Sequence, residues 1–234
     1  MADQQVAQGP GAHRRRTIVF LVRHGETEGN VQRVWHGSMD APLTPRGEMQ
    51  VAATARRVVE LARRYPIQAF YVSPLPRAQS TAAAIARALG QDPEVEADLR
   101  EFDLGAWEGR SFQELREVED LWGRWAQDPD FAPPQGESPR SFNRRATAVV
   151  ERLAKRHPGQ VILVVTHGGI ICNALANWIG DGPEDWRRWD PHNCAITMLV
   201  REGDIWKAVF VNDIGHLPPE AIDDEFTING DEFR

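Results

Sequence analysis

The chain has 234 residues, enough for one large domain with a core of its own, and carries 34 Asp and Glu against 27 Lys and Arg, a formal net charge of −7. That balance argues against a general nucleic-acid binder, and no apolar run approaches the ~20 residues of a membrane span. Cys172 and Cys194 are the only cysteines; two thiols without C-x-x-C spacing suggest neither a disulfide framework nor a zinc site, and a reducing cytoplasm is their natural setting.

In chain order, residues 1–16, "MADQQVAQGPGAHRRR", lack an apolar run behind their positive charges and so do not read as a secretory signal. They read as a polar, flexible leader, with the basic residues 13–16 a solvated end. "TIVFLV" (17–22), "AFYVS" (69–73) and "VILVVT" (161–166) are short, continuously apolar and rich in β-branched or aromatic residues, the pattern of buried parallel strands. Between them, a helix opens with Thr44 as N-cap and Pro45 at its first position. Another runs through "RAQSTAAAIARAL" and stops at Gly90. Residues 111–137 set Trp122, Trp125 and Phe131 among charges and then break into prolines. This excursion from the sheet is either a lid over a pocket or a surface helix pair whose aromatics face the core. A third helix is capped by Ser138 and Pro139, and a fourth follows Gly169 through Trp178. "CAITMLVRE" and "IWKAVFVND", joined by Gly203-Asp204, predict a hairpin at the sheet edge. The alternation implies an α/β fold, a three-layer α/β/α sandwich whose mainly parallel sheet carries an antiparallel edge strand. Residues 17–217 form the domain, and 218–234 an acidic, loosely held tail.

All three buried strands run into polar chemistry. The first is followed by Arg23-His24-Gly25-Glu26-Thr27, the second by "SPLPRAQST" with Arg77, and the third ends in Thr166-His167-Gly168-Gly169. Ligands of open α/β sheets bind beyond the carboxyl ends of the strands, so two arginines and two histidines converge on one crevice. Guanidinium forks match phosphate oxygens, glycines admit backbone N–H groups, and a helix starting after His167 adds a favourable dipole. An anion site follows. Metal-binding and nucleotide-loop motifs, H-E-x-x-H, G-x-x-x-x-G-K-[ST] and G-x-G-x-x-G after a strand, are absent from the sequence.

"LVRHGETEGN", "PLTPRGEMQ", "SPLPRAQSTA", "LREFDLGAWEGRS" and "VVTHGG" resemble, in order and spacing, the histidine phosphatase superfamily, and most closely its cofactor-dependent phosphoglycerate mutase-like branch, over residues 17 to 217. The resemblance implies a phosphoglycerate mutase-like fold and a phosphohistidine on His24. Arg23, Arg77, His167 and Asn30 would hold the phosphoryl group, with Gly168 beside them, and Glu101 would be the proton donor. The residues alone do not choose Glu101 from Glu96, Asp98, Asp103 and Glu108. Phosphoryl transfer needs fixed cations, here two arginines and a charged His167, and no step calls for a metal or other cofactor. Trp35-His36-Gly37 departs from the family's usual Gln-Gly; Trp35, His36 and Thr27 are candidate pocket residues, and His192, just before a strand, is a candidate for the rim.

The implied activity is hydrolysis of small-molecule phosphate esters, without nucleic acid or membrane as partner; a homodimer is compatible with the sequence. Two alternatives stand: a phosphoglycerate mutase of the same fold, and a binding module without catalysis. "LREFDLGAWEG" resembles the phosphatase members, since mutase members typically carry a tyrosine-containing sequence after the glutamate. The substrate is not named by the sequence.

Overall fold

The computed structural model describes residues 16–222; the expected leader, apart from Arg16, and the tail beyond residue 222 lie outside the described residues. The elements run β1 (Arg16–Arg23), α1 (Glu28–Val31), α2 (Pro45–Arg64), β2 (Ala69–Val72), α3 (Pro76–Leu89), β3 (Glu94–Val95), α4 (Phe112–Glu117), α5 (Leu121–Gln127), α6 (Pro139–Arg156), β4 (Val161–Thr166), α7 (Gly168–Trp178), β5 (Ile196–Glu202) and β6 (Ile205–Asp213). The sheet order is β3-β2-β4-β1-β5-β6. β1 to β4 are parallel, and β5 and β6 form an antiparallel hairpin at one edge.

The buried strands alternate between two cores, which is why their sequences show no polar face. Phe20, Val22, Phe70, Val72, Leu163 and Val165 pack with Ala55, Val58, Ala78 and Ile85 of α2 and α3. Val19, Leu21, Tyr71, Ile162 and Val164 pack with Phe142, Val149, Leu153, Ile170 and Leu175 of α6 and α7. Helix ends follow the expected chemistry. The Thr44 side chain accepts from the Gly47 N–H, and Ser138 from the Ser141 N–H. Gly90 closes α3 in the left-handed region at φ 69°, where glycine carries no Cβ penalty.

Two elements leave no signal of their own in the sequence. β3 is two exposed residues long, too short for any periodicity to show. α1 is a single turn fixed by a capping box between Thr27 and Asn30. Within 111–137, Leu115, Leu121 and Trp125 are buried in the α6/α7-side core. Trp122 stacks on Trp125 at 5.2 Å, and Trp35 packs against both. Trp122 and Phe131 are partly buried against the same core.

Candidate active site

β1 and β4 lie in register with Arg23 opposite Thr166, so His24 and His167 leave the sheet side by side. Their ring centroids are 5.2 Å apart. The His24 Nδ1 sits 2.8 Å from the Gly25 carbonyl. A carbonyl only accepts, so Nδ1 carries the ring proton and Nε2 keeps its lone pair. Arg77 Nε donates to that lone pair at 3.3 Å. Burial above all, then the Arg77 and Arg23 charges, hold the His24 pKa well below the usual histidine range, so the ring is neutral at pH 7, the form that attacks phosphorus.

Arg77 enters from the first turn of α3. Its terminal nitrogens donate to Met39 O at 2.9 Å and Gly37 O at 2.8 Å. With Nε on His24, three of the five guanidinium N–H bonds are engaged, leaving one on each terminal nitrogen. Arg23 is buried, donates to Pro191 O and lies 3.6 Å from Asp190. His167 Nε2 is 2.6 Å from Ser73 Oγ. That oxygen also accepts from Leu75 N–H at 3.2 Å; with its hydroxyl proton turned to Nε2, the His167 proton lies on Nδ1, which has no hydrogen-bond partner among the described residues. The expectation of a charged His167 needs correcting. Burial, then Arg77 and His24, push its pKa well below the usual range, so the ring is neutral in this setting. Gly168 follows at the start of α7, where a Cβ would meet Asp190 and Arg23 at 3.4 and 3.5 Å.

Glu101 is held by two backbone amides: Oε1 accepts from Phe102 N at 2.8 Å and Oε2 from Gly169 N at 3.1 Å. Asn30 Oδ1 accepts from Thr27 N at 3.0 Å, Thr27 Oγ1 at 2.9 Å and Asn193 Nδ2 at 3.3 Å. Its oxygen being so occupied, the amide nitrogen is the end left for an anion.

Arg23, His24, Thr27, Asn30, Trp35, His36, Arg77, Glu101 and Gly168 all line one cavity of about 560 Å³. Phe102, Phe112, Trp125 and Phe142 make much of its wall, the mixture expected of a small-molecule site. His36 lies flat on α1: a Cβ on Gly29 would come 1.2 Å from its Cε1, so only glycine admits the ring. His167 is fully buried and is not among the cavity-lining residues. His192 is buried, with Nδ1 2.7 Å from Asn193 O, and is not among the cavity-lining residues. Its neighbours are the residues that sequence reasoning missed. Asp190 lines the cavity beside Arg23, burial raising its pKa, and Asn193 bonds both His24 and Asn30. Their signal was the same as for His192, a position just before an antiparallel strand that starts where the parallel strands end. Among the described residues, no group of three or more His, Cys, Asp or Glu is arranged to hold a metal ion, and no helix is long and apolar enough to cross a membrane.

Comparison with known proteins places the family. A family model described as "Histidine phosphatase superfamily (branch 1)" matches residues 19–214. A protein named "Probable phosphoglycerate mutase GpmB" from Enterobacter sp. (strain 638) is 35% identical over 213 residues, covering 88% of this chain and 97% of the relative. Among solved structures, phosphoserine phosphatase from Entamoeba histolytica in complex with 3-phosphoglyceric acid superposes with a TM-score of 0.76 at 26% identity, over 86% of this chain and 100% of that one. Alpha-ribazole phosphatase from Shigella flexneri gives 0.72 at 26% identity, over 84% and 96%.

Proposed function

The chain belongs to the histidine phosphatase superfamily, and on that premise we propose that it is a metal-independent phosphomonoester hydrolase that acts on small phosphorylated metabolites through a phosphohistidine on His24. The observation that carries this reading is the His24 ring: proton fixed on Nδ1 by Gly25 O, lone pair on Nε2 and an arginine within 3.3 Å of that lone pair.

As the substrate binds, the Arg77 Nε–H passes from His24 to a phosphoryl oxygen, and the freed Nε2 attacks phosphorus. The bond from phosphorus to the ester oxygen breaks with its electron pair on oxygen, which takes a proton from Glu101. Arg23, Arg77, the Asn30 amide and the His167 Nδ1–H meet the charge spreading over the phosphoryl oxygens. In the second half a water oxygen attacks phosphorus, the Glu101 carboxylate takes the water's proton, and the N–P electrons return to Nε2 as phosphate departs.

Phosphatase-named structural neighbours support hydrolysis. The curated relative's name supports the other reading, in which the second acceptor is a substrate hydroxyl. Incubation with 3-phosphoglycerate, following released phosphate and 2-phosphoglycerate together, separates them: hydrolysis gives phosphate in stoichiometric amount, and a dominant isomer product would replace the hydrolase by a mutase. A lack of turnover on nitrophenyl phosphate and the rest of a phosphomonoester panel would leave the binding module.

A further inference from the structure

The segment 190–195, leading into β5, grips the residues after β1 at several points. Arg23 N–H donates to Ala195 O at 3.3 Å, and Cys194 N–H donates to His24 O at 3.2 Å. The Arg23 guanidinium donates to Pro191 O and faces Asp190. Cys194 adopts φ 61°, a left-handed conformation that a residue with a Cβ keeps only where its surroundings over-determine it, and such strain gathers at functional sites. Next to it, the Asn193 side chain is buried. Its Nδ2 donates to His24 O at 3.0 Å and to Asn30 Oδ1 at 3.3 Å.

We propose that Asn193 is a positioning residue for phosphoryl transfer, one amide nitrogen tying the attacking histidine to the asparagine that binds the phosphoryl group. The inference rests on the reading of His24 as the phosphoryl acceptor. Both partners of Nδ2 are oxygens that accept, so the position requires two N–H bonds on one atom in a buried place. Among compact side chains, aspartate supplies none when ionised, serine supplies one and leucine supplies none. The bond to His24 O fixes one end of the residue whose ring is fixed at the other by Gly25 O. The bond to Asn30 Oδ1 turns that amide so that its nitrogen, not its oxygen, is offered to an anion. Without it, Asn30 keeps only its bonds to Thr27. The distance between the nucleophile and a phosphate ligand is thus set by a residue that touches neither substrate nor phosphorus.

A residue needed only for packing would lower stability and leave the site of the folded molecules unchanged. The test is therefore made on Asn193→Ala and Asn193→Asp, with folding checked by circular dichroism. Inorganic phosphate binding is measured by calorimetry, and phosphorylation of His24 by nitrophenyl phosphate is followed by rapid mixing. Both variants are expected to bind phosphate about tenfold or more weakly and to phosphorylate about 10–100-fold more slowly, the aspartate being worse because it sets a carboxylate against two acceptors. In an Asn30→Ala background, the phosphate-binding loss caused by Asn193→Ala should largely disappear, since its target is already gone. Folded variants within twofold of the parent in both measurements would overturn the proposal, as would a loss of phosphate binding that is undiminished when Asn30 is alanine. If Asn193→Ala does not fold, Asn193→Ser, which keeps one donor, is measured in its place; failure of both to fold would assign Asn193 a purely structural role. The parent reading fails differently. A parent that binds phosphate but never becomes phosphorylated would remove the catalytic role of His24, with the tie between Asn193 and Asn30 still judged by phosphate binding. A parent that does not bind phosphate would remove both.

Discussion

Replacing Glu101 with glutamine removes an acid while nearly preserving shape. In the structure both oxygens of Glu101 accept from backbone N–H groups, of Phe102 and of Gly169. Glutamine has one oxygen, so one of these amides would face an NH₂ group. An unsatisfied buried donor costs about 1–3 kcal/mol; these two bonds are only part-buried, so the expected stability loss lies at the low end of that range and leaves the protein folded. The chemical loss is separate. General acid catalysis typically contributes ~10²–10⁴-fold, and its weight depends on the leaving group: an alkoxide needs the proton and a nitrophenolate hardly does. Glu101→Gln should therefore slow phosphorylation of His24 by alkyl phosphates, such as sugar phosphates, by about 10²-fold or more and by nitrophenyl phosphate far less. Rapid mixing must isolate the first step, because a slow dephosphorylation shared by all substrates would hide the difference. Equal losses for both leaving groups would refute Glu101 as the donor. Asp190 is then the next acid to test, because it lines the cavity. Asp103 and Glu108, equally eligible by sequence, do not line it; Glu108 bonds Ser38 and Asp103 bonds the Gly105 N–H.

Gly47→Ala should destabilise by about 1–3 kcal/mol, read as a lower Tm, because its Cβ would come 2.1 Å from the Glu26 backbone oxygen and neither backbone can swing away; an unchanged Tm would contradict that contact. Stability should fall as pH drops below about 6.5. His24 and His167 have folded pKa values pushed below their unfolded ones, so the unfolded chain takes up protons first, and the stability present above the unfolded pKa is lost toward the folded one, by up to about 1.4 kcal/mol per pH unit for each histidine. Thermal unfolding between pH 7.5 and 5.5 checks this, and a His24→Gln variant with the same acid slope as the parent would refute the assignment. Excess chelator should change the turnover of metal-stripped protein little, since the arginines already carry the positive charge; activity lost and then restored by magnesium or zinc would oppose the mechanism.

Much of the fold and of the site is legible in the residues themselves. Strands buried on both faces announce themselves as unbroken apolar runs, and the three that read this way are β1, β2 and β4. Thr44-Pro45, Ser138-Pro139 and Gly90 mark helix ends because capping is local chemistry. The approach of His24 to Arg77 is legible as strand ends facing one crevice, but the sequence does not show which ring nitrogen is free. That depends on a single carbonyl, Gly25 O. The neutral state of His167 is hidden for a similar reason: motifs carry residue types, and burial, with Arg77, His24 and Arg23 nearby, decides charge. Asn193 and Asp190 escape a reading of the sequence because their role comes from the segment before β5, an antiparallel strand that starts at the carboxyl ends of the parallel ones, a long-range placement with no local period. His192, between them, has the same sequence signal and points elsewhere.

The most direct test of the central claim is to quench the protein during turnover of nitrophenyl phosphate and map the phosphoryl group. The mechanism predicts an acid-labile, base-stable phosphoprotein, one phosphoryl group per chain, located on His24 and absent from a folded His24→Ala protein that has also lost turnover. Near-normal turnover by that variant, or a phosphoryl group found on another residue, would contradict it.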